Sequence, residues 1–179
     1  MIGLIKLLKI WQHRTGADNI PHLEADDHKL CIEGRIMPSS WYALESYLRM
    51  LDAVYYLVYG GTFKGMLKMG LDAGDVAAQG PQKGLLKAGD PRRTLESLPV
   101  YWELSYNFAS VSVTREAQYW CVRIKDYPDI TRVHALLHLG FTTKILTLVG
   151  AEDVKCEVVA APWEGADHSG ISVVWRGFE

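Results

Sequence analysis

Apolar residues recur at helical spacing from the start of the chain. Ile2, Ile5 and Leu8, with Leu4, Leu7 and Trp11 beside them, surround a polar stripe of Lys6, Lys9 and His13. The pattern predicts an amphipathic first helix that packs on its own domain, because two lysines are few for holding a lipid surface. Gly16 to His28 is polar and turn-rich, and KLCIEGRI after it reads as a short strand or extended segment. Pro38 disfavours a helix through Met37, and Ser39 or Ser40 can accept the first free amides of the helix that follows.

That helix, Trp41 to about Tyr59, has almost no polar side. One face carries Trp41, Leu44, Leu48, Leu51, Tyr55 and Val58, and the adjacent face Ala43, Tyr47, Met50, Val54 and Leu57. Only Glu45, Arg49 and Asp52 form a charged stripe, with Glu45 and Arg49 at the favourable i,i+4 spacing. A helix this apolar needs neighbours on two sides, and Gly60-Gly61 ends it. Residues 62–80 are rich in glycine, so a helix there is expected to be short or loosely held. PQKGLLKAGD reads as another short helical piece. Asp90 caps the next run, Pro91 takes its first helical position, and Pro99 breaks or kinks it.

The period then changes from helical to alternating. FASVSVT and QYWCVRI read as a hairpin, Asp129 as the cap of a helix from about Ile130 to Val149, and Gly150 as its end. DVKCEVVAA and HSGISVVWR form a second pair of strands around the turn-rich PWEGAD. The class is α+β: a helical N-terminal half packed on a mainly antiparallel four-stranded sheet, with a β-β-α-β-β C-terminal half. The expected organisation is a single globular domain over residues 29–179, with residues 1–28 as an amphipathic helix and linker packed on it.

Composition narrows the function classes. A chain of 179 residues, 49% hydrophobic and 22% charged, can bury one substantial core. A formal net charge of −2 supplies no basic excess for a row of phosphates, so nucleic acid is not an expected partner. Cys31, Cys121 and Cys156 are odd in number and widely spaced, which suggests reduced thiols in a cytoplasmic protein. MIGLIKLLKIWQHR has lysines within its apolar run and does not read as a signal peptide. No run reaches the roughly 20 apolar residues of a membrane span.

MPSSWY with its long helix, the Gly-rich segment, LPVYWELSYNF leading into a hairpin, LVGAEDVKCEVV and the closing VVW together resemble a set of bacterial proteins of unknown function common in myxobacteria. These look related to the vinyl-reductase-type and haem-NO-associated ligand-binding domains and to the small subunits of the TRAPP vesicle-tethering complex. The resemblance spans roughly residues 29 to 177. It implies helices on one face of a four-stranded sheet, a homodimer formed through the helices and, in some relatives, an apolar cavity for a small molecule or lipid. Vinyl-reductase-type domains carry cysteines around the last hairpin, whereas VVAAPWEGADHSGIS here has none, which argues against a metal or cluster site of that kind.

No catalytic, cofactor or metal site stands out. His134 and His138 are four apart, a spacing that can aim two imidazoles at one metal, but Ala135 stands where the HExxH signature needs Glu. Thr131, His134, His138 and Thr142 read as a solvent-facing polar strip, with His168 the one obvious third ligand by type. Asp167-His168-Ser169 has the residue types of a relay, but consecutive residues point in different directions, so a polar turn suffices. The glycines match no phosphate-binding motif. Cys31 reads as a small buried hydrophobe rather than an acylation site.

Trp41, Tyr42, Tyr47, Tyr55, Tyr101, Trp102 and Trp120 are expected to converge on one side of the sheet, as core or as the wall of an apolar pocket. The candidate pocket or interface residues are Trp41, Tyr47, Leu51, Tyr55, Tyr101, Trp102 and Trp120. The reading that follows is a non-enzymatic domain without cofactor that binds an apolar or amphipathic small molecule, or a protein partner, and signals through a homodimer. Two alternatives stand beside it: a structural dimerisation or adaptor module, and a haem or metal sensor.

Overall fold

The computed structural model describes residues 2–33, 41–127 and 130–177. The chain divides into two compact units, residues 1–65 and residues 66–179.

In the first unit, α1 (Ile2–Thr15) buries Ile5 and Leu8, as its period requires. The described part of the segment expected to be extended, residues 29–33, is instead the end of a helix, α2 (Ala25–Glu33). Its first turn explains the difference. Asp26 and Asp27 meet the positive end of the helix, and the Asp27 carboxylate accepts the Glu24 amide at 3.1 Å, satisfying a donor that the helix start leaves free. Gly34 to Ser40, with Pro38 and the expected capping serines Ser39 and Ser40, lie outside the described residues.

α3 (Leu44–Leu57) starts three residues later than its apolar pattern, with Ala43 at the N-cap and no side-chain cap. Met50, Leu51, Ala53, Val54 and Tyr55 turn inward. Arg49 does not pair with Glu45 along the helix surface. It reaches across to the fully buried Asp27, Nε to Oδ2 at 2.5 Å and Nη2 to Oδ1 at 3.1 Å, a two-pronged contact that Glu45 could not offer. Burial works to raise the Asp27 carboxyl, but hydrogen bonds from Arg49, Ser46 and the Glu24 amide, with the Arg49 charge, outweigh it and hold it below the usual range. Gly60 and Gly61 end the helix at φ +73° and +65°, with the Gly61 amide donating to Tyr55 O at 3.0 Å.

The second unit takes in most of α4 (Phe63–Ala77), a short 3-10 turn at Pro81–Leu85, α5 (Pro91–Glu96), α6 (Leu98–Ser105), β1 (Ser110–Arg115), β2 (Trp120–Lys125), α7 (Arg132–Leu148), β3 (Lys155–Ala160), a 3-10 turn at Pro162–Glu164 and β4 (Ser169–Val174). The glycine-rich segment is therefore a 15-residue helix rather than a short or loose one. Its glycines are used in packing: a Cβ on Gly70 would land on the Leu137 carbonyl and 2.9 Å from the Phe141 amide, and one on Gly140 would strike Leu67 O. α4 and α7 thus touch backbone to backbone, which offsets the roughly 1 kcal/mol that each helical glycine costs.

Asp90 caps α5 by accepting the Arg93 amide at 2.9 Å, and Pro99 sits in the first turn of α6, so the run is two helices. α7 is capped by Thr131, whose hydroxyl and the His134 ring form a reciprocal pair, and not by Asp129, which lies outside the described residues. The sheet has the order β1-β2-β4-β3 with every pairing antiparallel. The α+β class and the β-β-α-β-β half hold. Leu95, Leu98, Val122, Ile145, Leu146, Ile171 and Val173 form the core of this unit, between α5 to α7 and the sheet. Among the described residues, no helix is long and apolar enough to cross a membrane.

Candidate functional site

Five short steps of chain place a shell of rings around one imidazole. α6 contributes Trp102, its C-cap contributes Tyr106, and the link to β1 contributes Phe108. The chain leaving β2 adds Tyr127, and successive turns of α7 add His134 and His138. Trp102 lies 5.3 Å from His138 and 6.2 Å from Tyr127 between ring centroids, and Tyr127 lies 5.9 Å from His138 and 5.7 Å from His134. Phe108 stands edge-on to Tyr127 at 5.1 Å. Trp102 Nε1 donates to Phe108 O at 2.8 Å, fixing the indole and the link together.

Two non-glycine residues adopt left-handed backbone in this arrangement. Ala109 (φ +57°) and Asp126 (φ +56°) flank the paired Ser110 and Lys125 at the open end of the β1–β2 hairpin. Each turns the chain so that its neighbour, Phe108 or Tyr127, enters the shell. A left-handed non-glycine residue costs about 1–2 kcal/mol, and such residues persist where the surroundings hold them.

His138 Nε2 is sealed from solvent and has no hydrogen-bond partner. Burial, with His134 close by, pushes its imidazole down to about 3, so it is neutral across the physiological range. Most of the strip Thr131–His134–His138–Thr142 is turned inward, against the expected solvent-facing reading: His134 and Thr142 are buried and His138 is half-buried, while Thr131 at the helix start is exposed. A four-residue polar period looks the same in sequence whichever way it faces, and the aromatic residues that meet it come from distant segments.

The sequence-derived candidates fall into separate groups. Trp41, Tyr47, Leu51 and Tyr55 belong to the first unit, where Leu51 and Tyr55 are interior and Trp41 is 59% exposed. Tyr101, Trp102 and Trp120 belong to the second. Of these, Trp102 is central to the ring shell, and Tyr101 packs on Phe141 at 5.2 Å. Trp120 stands at the turn end of the hairpin, opposite the shell, in the core and with Arg92 and Arg115 each 5.8 Å from its ring. Phe108, Tyr127, His134 and His138 complete a site that the aromatic pattern alone did not assemble.

Other donors are committed or muted. His134 Nδ1 accepts the Thr131 amide at 3.5 Å. His168 Nδ1 pairs with Asp167 at 2.5 Å, while the buried Ser169 Oγ faces no partner, so the three do not form a relay. Burial raises the Cys121 thiol and takes that of Cys156 up to about 11, and it raises the Tyr101 phenol as well. These groups stay protonated and are poor metal ligands as they stand. Among the described residues no three His, Cys, Asp or Glu side chains gather to hold a metal ion.

No family model matches the chain, and no curated protein matches it. Solved structures do. An H-NOX protein from S. oneidensis in the Fe(II)NO ligation state aligns with a TM-score of 0.66 at 10% identity, covering 97% of this chain and 90% of that one. An Fe(II) unliganded mutant of an H-NOX protein from K. algicida aligns with a TM-score of 0.62 at 16% identity, covering 99% and 98%. A mutant of T. Tengcongensis H-NOX gives 0.60 at 12%, covering 97% and 96%. Across nearly its whole length, this chain has the fold of the H-NOX structures.

Proposed function

We propose that this chain is a non-enzymatic sensory domain on an H-NOX-like fold, one that takes a small molecule at the His138 ring shell and does so without haem. The observation that carries this reading is His138 Nε2, enclosed, neutral and without a partner. A buried polar atom left unpaired costs about 1–3 kcal/mol. A ligand that hydrogen-bonds Nε2 recovers that cost, and passage beside Phe108 or Tyr127 lets Ala109 or Asp126 relax. Displacing those rings shifts α6 relative to β1 and α7, which is a signal the fold can transmit. The apolar shell penalises charge, so the ligand is an uncharged molecule with one hydrogen-bonding group.

Haem is the second reading, and the solved structures favour it over the apolar-ligand and adaptor readings made from sequence, since two of them are described in terms of their haem. His138 is the donor type that haem iron takes, and its neutrality suits metal ligation. Its Nε2, however, is sealed behind rings that a macrocycle would have to displace far more than a small ligand would, and the thiols and the Tyr101 phenol are held protonated. The ring shell as placed does not fit a haem, and no step of the proposed response runs through one.

Native mass spectrometry of the freshly purified full chain, beside His138→Phe, tests the proposal and reports the subunit count that the homodimer expectation concerns. The expected result is a retained molecule much lighter than haem, absent from His138→Phe. A haem-sized adduct establishes the haem sensor instead. Bare protein for both variants removes the ligand reading and leaves the adaptor alternative.

A further inference from the structure

The first unit holds a cleft of about 480 Å³ between the end of α1 and α2, well away in sequence from the ring shell. Lys9, Gln12 and His13 from α1 line one side, Gly16 and Ala17 the connection after it, and Cys31 of α2 the floor. It is open to solvent along much of its length, so it would hold a small molecule by one side rather than enclose it. Lys9 and His13, four apart, project from one helix face. The acids near α2 are engaged elsewhere: Asp26 with Lys29, and Glu24 and Asp27 with Arg49.

The negative end of α1 works against an anion here, but it is partly neutralised. The Gln12 carbonyl accepts the Gly16 amide at 2.9 Å, and the Trp11 carbonyl accepts the Thr15 hydroxyl at 3.0 Å. Gln12 Nε2 donates to Asp18 O at 3.2 Å. Cys31 is buried, and burial, then the Asp27 charge, raise its thiol, which presents uncharged sulfur rather than a competing anion. The result is an open groove with the Lys9 ammonium on its rim and the Ala17 methyl and the edge of the Cys31 sulfur below it.

We propose that this cleft binds a small monoanion with an apolar body, a short-chain carboxylate whose head group sits on Lys9 and whose chain lies toward Ala17 and Cys31. The site is independent of the ring shell and stands or falls without it. Sodium octanoate, octylammonium chloride and octanol, titrated separately into the full chain and followed by backbone amide shifts, test it. Octanoate should shift residues 9–17 and 31, and bind several-fold more tightly than the other two, the effect of one exposed ionic contact. Lys9 is exposed, so Lys9→Glu should fold normally, lose octanoate several-fold and gain octylammonium. Equal binding of the three probes, octanoate shifts elsewhere or none at all, or unchanged octanoate binding by Lys9→Glu would each overturn the proposal.

Discussion

At the scale of single residues, His138 ties the site to a pH dependence with a definite sign. The unfolded imidazole takes a proton below pH 6.5, whereas the folded one resists it down to about 3. Stability from this group is complete above pH 6.5 and declines as the pH falls, by about 1.4 kcal/mol per unit at most. Urea unfolding at pH 7 and pH 5 should show the decline, and His138→Phe, which keeps a ring in the shell, should flatten it. The depressed carboxyl of Asp27 acts in a different window, losing its contribution only as the pH drops below about 3.8.

Arg49 gives a second prediction. Removing it by Arg49→Met leaves the Asp27 charge buried and unpaired and should destabilise the first unit by about 3–5 kcal/mol, while adding Asp27→Asn should return part of that loss. Double-mutant denaturation measures both. The sequence showed a Glu45–Arg49 pair because i,i+4 spacing is visible along one helix. The partner Arg49 takes is 22 residues away and on another element, beyond the reach of local spacing.

At the scale of elements, what was legible was whatever local chemistry decides. Asp90-Pro91 named both the cap and the first turn of α5, and the change to alternating β-branched residues located β1 and β2. KLCIEGRI misled because β-branched and apolar residues in a short run fit strand or helix equally. The deciding contact, Asp27 on the Glu24 amide, begins before the run. α4 misled for the opposite reason: helix propensity counts each glycine as a loss, while the partner that makes Gly70 useful lies on α7.

That packing is testable. Gly70→Ala and Gly140→Ala drive a methyl into the backbone of the facing helix and should each cost about 1–3 kcal/mol or more. Gly84→Ala, whose Cβ would meet nothing within 4 Å, is the control and should be nearly neutral. On α3, Leu51 is 1% exposed, so Leu51→Asp should unfold the first unit rather than release a folded monomer, as circular dichroism and sedimentation together can show.

At the scale of the whole molecule, the fold class could be read from the order of periods, and the solved H-NOX structures bear out that α+β reading over nearly the full chain. The candidate site was less legible. Trp102 stood out as an aromatic, but Phe108 and Tyr127 enter the shell only because Ala109 and Asp126 adopt left-handed backbone, which no residue type at those positions announces. In the proposed reading the same geometry sets this chain apart from the haem its structural neighbours are described with: the imidazole is present, and rings surround it. An absorption titration of the full chain with haemin, for wild type and His138→Phe side by side, tests that separation most directly. A shell closed to haem predicts that both spectra remain those of free haemin, whereas a Soret band formed by wild type and lost in His138→Phe would contradict it.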